Sequence, residues 1–599
     1  MNSNYRCLLA GAMLMTAGFA TEIKAQAFPA EISNWSEQEK VKQRKAGDEL
    51  LVKLAAAVKA KKTSFNIPKG NYRFAKTQGK RPFHIQLLNV KNMTVEGNNS
   101  NFFFENQASG ISIYKCSNLT VKNLYLDWDP VPFTQGIVTG LDEKGNSFTF
   151  KPDAGYEASC ERIVKGSGLR GMLFDPKTRR MKPRQGGFCV DFKKKLGDGS
   201  YNIKVRGFYG AKLKACGFAK GDLIAMWHRK GRAVKVEVTE KITLENITLY
   251  SAPFIGYVEN VGAGGNIYRK CRIVKRPGTN RLIGGNADGF NASNTLKGPT
   301  LDGCEIDTIG DDFVNFHGVY YRIFEQVSPT ELVVQPFGSN GVKTPELTFL
   351  ENKTWNSKGT RKCVSSKAFS YTIPDTSKKG LSHKWAAAKN FKPGSKVRAM
   401  RIKLDKPLKL DNPAIFSCAS SVAAGAVIRN CKFTGSLARG IRYQSTDAVI
   451  ENNDISLALG PLLSVTGQPG YWGEAVTSEN LVVKNNVFAE GCLGARNRHP
   501  GVIEITAPGE MPGSEVAENI KFINNRIVNP GAAGIYLNNC KDIIIENNTI
   551  VGLGVIPEAN GKGDIPAIIQ GATENVKISN NKVEKSGKYA SLTVVKKIK

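Results

Sequence analysis

The chain has 599 residues, and 84 lysines and arginines against 52 aspartates and glutamates give it a formal charge of +32 at pH 7. This length exceeds the size at which one compact core keeps growing, so we expect several domains or a repeat architecture. A hydrophobic content of 41% argues against a disordered chain, and 60 glycines indicate many turns rather than long helices. The lysines are spread along the whole length without an RNA-binding signature, which argues against nucleic acid as a partner. An acidic or sulfated polysaccharide, or simply a solvated basic surface, fits this distribution.

The N-terminal segment has the pattern of a secretory signal peptide. It combines a basic start at Arg6, a short apolar run and small residues up to Ala25. The run is too short for a membrane-spanning helix, and no later stretch is apolar enough to cross a bilayer. We therefore expect residues 1–25 to be cleaved, the protein to be periplasmic or secreted, and no membrane insertion.

The sequence contains 12 cysteines with neither a CxxC pair nor the spacing of a zinc site. Cys271, Cys304, Cys431 and Cys540 share a local setting, in which short apolar strands flank the cysteine. This pattern favours buried, mostly reduced thiols at equivalent positions of a repeat, although one or two disulfides are also compatible with it. No cofactor and no metal are expected.

Asparagine pairs recur after short alternating strands in the C-terminal third. The second Asn of each pair falls at 453, 486, 525, 548 and 581, with gaps of 33, 39, 23 and 33 residues. The shortest gap indicates a bare coil of 23 residues, and the longer gaps indicate coils that carry loops. Stacked coils with an Asn ladder at a turn predict an all-β chain, a right-handed parallel β-helix. A propeller or a leucine-rich horseshoe fits less well, since neither a blade signature nor a helix for every strand is present.

Two stretches interrupt this pattern, and each opens with a strand–turn–strand unit and closes with a turn and a strand. We interpret them as inserted β-barrel-like modules that resemble each other loosely. The predicted organisation is a signal peptide (1–25), a cap helix and first coils (26–135), module 1 (136–235), coils with candidate acids (236–318), module 2 (319–412) and C-terminal coils (413–599).

Asp288, Asp311 and Asp312 carry the strongest signal for chemistry. A 23-residue coil would put Asp288 and Asp311 at equivalent positions on successive coils, about 4.8 Å apart. Two carboxylates that close push one pKa up and leave the other group ionised, which is the acid/base arrangement of glycoside hydrolysis. A separation of about 5–5.5 Å would indicate retention and about 6.5–9.5 Å inversion. Asp-Gly and Gly-Asp-Asp also occur as plain turns, so the spacing alone leaves that interpretation open.

Further residues are candidates for holding a sugar. A tryptophan between glycines and followed by a glutamate, as in Trp472 and Glu474, offers a stacking face and a hydroxyl acceptor, although a loop anchored by a buried aromatic would look the same. The other candidates are Asn291, Asn315 and His317 near the acids, Arg439 and Arg442 at a coil edge, Tyr471 beside Trp472, Asp127, Asp129 and Gln135 where module 1 departs, and more weakly Glu504.

Five motifs together resemble glycoside hydrolase family 110, the α-1,3-galactosidases. They are LDWDPVPFTQG (126–136), ADGF (287–290), GDDFVNFHG (310–318), LARGI (437–441) and YWGEAV (471–476). The resemblance implies a parallel β-helix with two β-barrel modules and metal-independent, inverting hydrolysis of terminal α-1,3-linked galactose. It places the acidic centre on Asp288, Asp311 and Asp312. Asn291 and Phe313 depart from the family's pattern, which indicates an altered wall of the sugar pocket and makes a charged or sulfated galactoside an alternative substrate.

Two other functions compete with an exo-acting hydrolase. A polysaccharide lyase on the same scaffold would use Lys or Arg as the base, with the three aspartates as Ca²⁺ ligands. A non-catalytic β-helix for adhesion would bind glycans without turnover, but it leaves the clustering of the acids unexplained. The expected partner is a glycan with terminal α-galactose, and an oligomer is compatible with the sequence.

Overall fold

The computed structural model describes residues 35–78, 82–165, 168–208, 211–338, 340–351, 357–373, 394–410, 414–466, 473–475, 478–495, 500–506, 517–556, 564–591 and 594–598. The predicted signal peptide and the candidates Tyr471 and Trp472 lie outside these residues.

The chain begins its described part with a long helix, α1 (Glu37–Lys59), at the N-terminal end of the strand stack. Ser36 caps it by accepting a hydrogen bond from the backbone of Glu39 at 3.2 Å. Leu50 and Leu54 are buried against the first coils, so the helix covers apolar strand surface that would otherwise face water. No helix in the described part of the chain is long and apolar enough to cross a membrane.

Parallel strands stack into three ladders, and most coils contribute one strand or half of a long strand to each ladder. The N-terminal strands are β1 (Ser64–Asn66), β2 (Asn71–Phe74), β3 (Phe83–Leu88), β4 (Lys91–Phe104), β5 (Ser109–Tyr114) and β6 (Ser117–Trp128). The central coils contain β13 (Arg232–Glu237), β14 (Glu240–Leu249), β15 (Ile255–Gly264), β16 (Ile267–Arg269), β17 (Arg272–Ile273), β18 (Phe290–Lys297), β19 (Thr300–Asp302), β20 (Glu305–Ile309) and β21 (Val314–Ser328).

The C-terminal coils continue the same ladders with shorter strands. They are β27 (Val427–Arg429), β28 (Lys432–Ser436), β29 (Ile441–Gln444), β30 (Val449–Glu451), β31 (Asp454–Ala458), β32 (Leu463–Thr466), β33 (Glu474–Ala475), β34 (Ser478–Lys484), β35 (Val487–Ala489), β36 (Gly501–Thr506), β37 (Ala517–Ile523), β38 (Arg526–Val528), β39 (Ala533–Asn538), β40 (Cys540–Glu546), β41 (Thr549–Val551), β42 (Ile568–Gln570), β43 (Thr573–Ser579), β44 (Lys582–Glu584) and β45 (Val595–Lys597). Alternate residues point inward and form one continuous apolar core, which confirms the predicted parallel β-helix.

The predicted asparagine ladder is present at one corner of the coils. Each ladder asparagine donates its backbone N–H to the side-chain oxygen of the ladder asparagine on the next coil. The successive bonds run from Asn453 to Asn486, Asn525, Asn548 and Asn581, at 3.0, 3.1, 2.9 and 2.9 Å. The same oxygens also accept from the side-chain amides of those preceding residues, at 2.9 or 3.0 Å. The ladder therefore satisfies buried polar groups that the interior of a coil cannot hydrate.

Three of the four singled-out cysteines extend this ladder towards the N-terminus. Cys431 donates its backbone N–H to Asn453 at 2.9 Å, and Cys304 and Cys271 occupy the same corner of the two preceding coils. The prediction was wrong for Cys540, because it begins strand β40 and pairs with Thr573 at a different corner. All cysteines in the described part are free thiols.

The first insertion is a closed antiparallel barrel that follows β6. Its strands are β7 (Phe133–Asp142), β8 (Ser147–Pro152), β9 (Leu169–Phe174), β10 (Phe188–Lys195), β11 (Tyr201–Gly207) and β12 (Leu223–Trp227), with helix α2 (Glu157–Ile163) and a 3₁₀ turn (Lys214–Cys216). Around the barrel they follow the order β7-β8-β11-β10-β9-β12.

The second insertion has the same strand order. Its strands are the C-terminal part of β21, then β22 (Glu331–Val334), β23 (Glu346–Glu351), β24 (Ser357–Thr372), β25 (Lys396–Leu404) and β26 (Ala414–Cys418). Antiparallel pairings close the ring β21-β22-β25-β24-β23-β26. The loose resemblance between the two modules is thus an identity of topology, and the β-helix with two barrel-like insertions agrees with the predicted fold class.

Candidate active site

The three aspartates meet at the corner where the third ladder turns into the first. Asp288 lies just before strand β18, and Asp311 and Asp312 form the turn between β20 and β21. One carboxylate oxygen from each residue lies within 4.8 Å of the others. The structure therefore brings together the three acids that the sequence indicated.

The register differs from the predicted one by a residue. Phe290 pairs with Val314 and Asn291 with Asn315, so the coil offset is 24 residues (314 − 290) rather than 23. Asp288 consequently lies level with Asp312, and Asp311 precedes that position. The 24-residue offset already holds at Gly285 and Ile309. Asp311 and Asp312 follow in a bend outside the regular strands, which lets both neighbouring carboxylates face Asp288 although a regular strand would point them apart.

Glycines permit the close packing of this corner. A Cβ on Gly310 would lie 2.4 Å from the ring of Trp227 and 2.5 Å from the carbonyl oxygen of Asn286. A Cβ on Gly289 would lie 2.6 Å from the carbonyl oxygen of Phe313 on the next coil. The glycines of the two acidic motifs are therefore required by the close backbone packing, whereas the aspartate side chains are available to form the site.

Each acid has a different partner. Asp288 accepts a hydrogen bond from the side-chain amide of Asn291 at 3.1 Å. Asp311 pairs with the guanidinium of Arg229, which lies just after the first barrel. Asp312 accepts from the backbone N–H of Arg439 at 2.9 Å and from its guanidinium at 3.1 Å. Arginines therefore hold two of the acids, and a neutral amide holds the third.

These surroundings separate the acids electrostatically. Burial, then the neighbouring charges of Asp311 and Asp312, raise the pKa of Asp288 well above its ordinary value. Burial also raises the pKa of Asp312, against the opposing effect of Arg439. The side chain of Asp311 is 22% exposed and that of Asp312 only 2%, so Asp311 is the more accessible carboxylate of the arginine-held pair.

A second polar cluster surrounds Glu474 on the short strand β33, which pairs with β21. Its carboxylate accepts from Asn315 at 3.3 Å and from Gln444 at 2.9 Å, and it forms an ion pair with Arg442 at 3.0 Å. The imidazole of His317 lies 3.9 Å away. Burial opposes its charge, but His317, Arg442 and the two amides together lower the pKa of Glu474 to about 2. These partners therefore favour the ionised form of Glu474.

The two clusters adjoin each other. Asn291 and Asn315 lie level on neighbouring strands, about 4.8 Å apart, and one contacts Asp288 while the other contacts Glu474. Arg442 also acts electrostatically on Asp312 and Asp288. The structure therefore brings Asn291, Asn315, His317, Arg439 and Glu474 to the acidic centre, as the sequence indicated.

Phe313 does not form a wall of the site, contrary to the expectation. Its side chain is fully buried in the core of the β-helix, with ring centroids of Phe313 and Phe433 5.7 Å apart. Phe313 immediately precedes strand β21, and its side chain points inward rather than towards the acids. Of the two departures from the family pattern, only Asn291 faces the acids.

Asp129 and Gln135 are engaged elsewhere. Asp129 forms an ion pair with the buried Arg73 at 2.7 Å. Gln135 donates to Asp153 and to the backbone of Asn280 and accepts from the backbone of Leu282, at 2.8 to 2.9 Å. The amide of Gln135 thus ties the first barrel to the coils rather than reaching towards the acidic centre.

The two weaker candidates are also internal. Asp127 is fully buried and forms ion pairs with Arg276 at 3.0 Å and Arg281 at 2.9 Å. Glu504 accepts from the hydroxyl of Ser464 at 2.8 Å within the first ladder. Both carboxylates are buried against groups of their own coils or of neighbouring ones.

Sequence reasoning missed Arg229 and Gln444. Arg229 reaches Asp311 only because the first barrel returns the chain to this corner, and no local pattern marks that return. Gln444 could have been found, because it lies level with His317 one strand further along the ladder.

Charge balance describes what the acidic centre can do. The guanidiniums of Arg229 and Arg439 face the carboxylates of the three aspartates. Burial lowers the pKa of each arginine, but the aspartates raise it by more, so both arginines stay charged. Two fixed cations already offset most of the negative charge that would attract a divalent ion. An unpaired acid with a raised pKa beside a paired carboxylate suits proton transfer better than cation binding.

The chain is similar to known proteins over most of its length. A family model described as "Right handed beta helix region" matches residues 414–596. The chain is 24% identical over 539 residues to alpha-1,3-galactosidase B of Bacteroides thetaiotaomicron, covering 84% of this chain and 80% of that protein. It is also 24% identical over 543 residues to alpha-1,3-galactosidase A of Shewanella woodyi, covering 84% and 83%.

Among solved structures, the A-module of a mannuronan C-5 epimerase of Azotobacter vinelandii matches with a TM-score of 0.35 at 11% identity, over 90% of this chain and 94% of that one. The chain is thus a parallel β-helix protein whose sequence is similar, over most of its length, to proteins named alpha-1,3-galactosidase.

Proposed function

We propose that the protein is a glycoside hydrolase that releases galactose from the non-reducing end of an α-1,3-linked galactoside. The observation that carries the proposal is the trio of carboxylates within 4.8 Å of one another, one without a cationic partner and two held by arginines. The names of relatives that are similar over 84% of the chain support galactose as the sugar.

The environments of the acids support a division of roles. Burial and two adjacent carboxylates raise the pKa of Asp288 well above its ordinary value, so it is the acid best suited to protonate the leaving glycosidic oxygen. Asp311 is the more accessible of the two arginine-held carboxylates, and Arg229 keeps it aligned, so it is suited to activate water. Asp312 is buried under Arg439 and orients the turn that carries Asp311.

We further propose that hydrolysis inverts the anomeric configuration, as the motif resemblance implies. The distance between the acids does not support inversion, because their nearest oxygens lie within 4.8 Å of one another, closer than the about 6.5–9.5 Å usual for inverting pairs. The stereochemistry therefore rests on the motifs, and the anomer of the product decides it.

The cluster around Glu474 supports recognition of the sugar. An ionised carboxylate accepts hydrogen bonds from sugar hydroxyls, while Asn315 and His317 add amide and imidazole groups beside it. Asn291 bridges this cluster to Asp288, so a sugar on Glu474 would present its anomeric bond to the acids. A sulfated galactoside belongs to the same proposal, on the basis of the chain's net charge of +32.

The N-terminal pattern of residues 1–25 supports action outside the cytoplasm, where such glycans occur. This location is part of the proposal and is tested by the N-terminal sequence of the protein recovered from culture.

The test is a screen of terminal α-galactosides and sulfated galactans for released monosaccharide. The proposal expects free galactose, no ultraviolet-absorbing product and no loss of rate with a chelator. A lyase would instead give an unsaturated product, and an adhesin would bind glycan without turnover. Either of these outcomes would refute the hydrolase.

A further inference from the structure

A cavity of about 480 Å³ lies between helix α1, the ends of strands β4 and β6, and helix α2 of the first barrel. This volume is in the range of pockets that hold small ligands, about 300–1,000 Å³. Its lining includes Asp129 but none of the three acids of the candidate active site. The motif that contributed Asp129 is therefore associated with a separate site.

The cavity is at the same corner of the coils as the acidic trio. Asp129 follows β6 as Asp311 follows β20, and the strands β6, β14, β17 and β20 are consecutive in one ladder. Three steps of about 4.8 Å separate the two positions along the stack, or roughly 14 Å. A glycan chain bound at one position could therefore extend towards the other.

Buried ion pairs fix the polar groups of the cavity. Arg73, only 1% exposed, holds Asp129 at 2.7 Å and Glu105 at 3.3 Å from the buried side. Arg44 holds both oxygens of Glu105 at 2.9 Å from the open side. The side chains of Arg44, Glu105 and Asp129 retain 35%, 17% and 14% exposure, so donors and acceptors that cannot swing away remain open to the cavity.

The rest of the lining combines apolar and small residues with the polar side chains of Lys40, Thr279, Asn280 and Arg281. Pro130, Val131 and Tyr156 form one wall, and the exposed Ala158 lies at the edge on helix α2. Apolar faces of this kind pack against the C–H faces of a sugar ring. A lining that combines fixed polar groups with apolar side chains is therefore complementary to an amphipathic ring.

The charges select the kind of sugar. The four cations of the lining are already ion-paired, Lys40 with Glu37, Arg44 and Arg73 with Glu105, and Arg281 with Asp127, so neither a sulfate nor an amine would meet an unpaired counter-charge among them. A neutral sugar residue donates to the carboxylates and accepts from the guanidinium through the same hydroxyls. We propose that this cavity is an accessory binding site for an uncharged sugar unit of the glycan substrate, an inference that rests on the proposed glycosidase function.

The test counts binding sites in the full chain with the acidic centre inactivated. Calorimetric titration of Asp311→Asn with a neutral galacto-oligosaccharide should show two sites, and the additional change Ala158→Trp, which fills the edge of the cavity, should leave one. Ala158 is solvent-exposed, so a larger side chain there is compatible with folding. The matched control, Glu143→Gln on an exposed turn of the same barrel, should keep two sites.

Equal stoichiometry with and without Ala158→Trp would overturn the inference, as would binding of a sulfated but not of a neutral oligosaccharide at the cavity. A second filling variant, Ala154→Trp, guards against a local rearrangement at position 158 and should give the same loss of one site. Hydrolysis of an aryl α-galactoside by the unsubstituted chain is measured in parallel. Its absence would refute the proposed function without altering the number of sites, so the two failures are distinguishable.

Discussion

Asp288 and Asp312 occupy the same position on successive coils, yet only Asp312 is held by an arginine. Asp312 receives two hydrogen bonds from Arg439, whereas Asp288 receives one from the neutral amide of Asn291. Stacked positions on successive coils would give the two carboxylates the same surroundings, but Arg439 contacts Asp312 alone and so makes their electrostatic environments different. A single repeated position thus holds one carboxyl group beside a neutral amide and one beside a cation.

The proton on Asp288 gives the first prediction. Burial, Asp311 and Asp312 raise the pKa of Asp288, and Arg229 lowers it. A general acid works only when protonated, so activity should fall as pH rises through this pKa. Arg229→Gln removes the lowering charge and should move the alkaline limb of kcat/KM to higher pH, with a lower maximum because Asp311 loses its partner. Arg206→Gln, which breaks an exposed ion pair on the first barrel, is the control and should leave the limb in place. An unmoved or downward limb in Arg229→Gln would refute the role of Asp288.

The ion pair of Glu474 with Arg442 gives a second prediction. Both side chains are largely buried, at 11% and 2% exposure, so Glu474→Gln leaves a buried cation unpaired and should cost about 3–5 kcal/mol of unfolding free energy. The double variant Glu474→Gln with Arg442→Met should recover much of that stability but not the sugar affinity. Denaturant unfolding and KM measure the two effects. Recovery of normal KM in the double variant would show that Glu474 has only a structural role.

A carboxyl group in the β-helix core predicts how stability depends on pH. Glu259 is 1% exposed and accepts a hydrogen bond from Tyr268, and burial raises its pKa to about 7. A raised pKa favours the neutral form in the folded state, so its contribution is complete below the ordinary pKa of about 4.5 and is lost as pH rises to about 7. The loss amounts to about 3 kcal/mol at about 1.4 kcal/mol per pH unit.

Glu259→Gln should remove this part of the pH dependence, because its side chain does not ionise. Unfolding free energies of the two chains at pH 5 and pH 8 provide the comparison. The same slope in both chains would show that Glu259 is not responsible for it.

The asparagine ladder predicts that Asn→Ala substitutions at different positions of this corner lower the free energy of unfolding by different amounts. Asn548 lies within the ladder, where it accepts from Asn525 and donates to the backbone of Phe522, whereas Asn581 accepts from Asn548 at the half-buried end. Asn548→Ala should cost about 1–3 kcal/mol for each buried group left unsatisfied, and Asn581→Ala should cost less. Chemical denaturation measures both variants, and equal costs would contradict a cooperative ladder.

The repeat itself was predictable, because its signals are local. The asparagine pairs at coil spacing predicted the ladder. The alternating apolar residues beside them, such as Ile543 and Ile545, predicted the core. The closed barrels were predictable only as interruptions, since strand order within them depends on pairing across long separations.

The site was predictable in part for the same reason. The acids lie in short motifs, but the offset between Asp288 and its partner was wrong by one residue, because the 23-residue spacing read from the C-terminal coils does not hold here, where the offset is 24. Arg229 was not predictable, because its contact with Asp311 joins residues 82 positions apart and no local pattern marks it. Phe313 illustrates the converse limit, since facing into or out of a coil reverses with a single residue of register.

Proton NMR of the anomeric signals tests most directly whether the three aspartates hydrolyse a terminal α-galactoside. With an α-1,3-linked galactobiose, the unsubstituted chain should release β-galactose first. Asp311→Asn should be slower by about 10²–10⁴-fold with a melting temperature close to that of the unsubstituted chain. Full activity of a folded Asp311→Asn variant, or no galactose from the unsubstituted chain, would contradict the account.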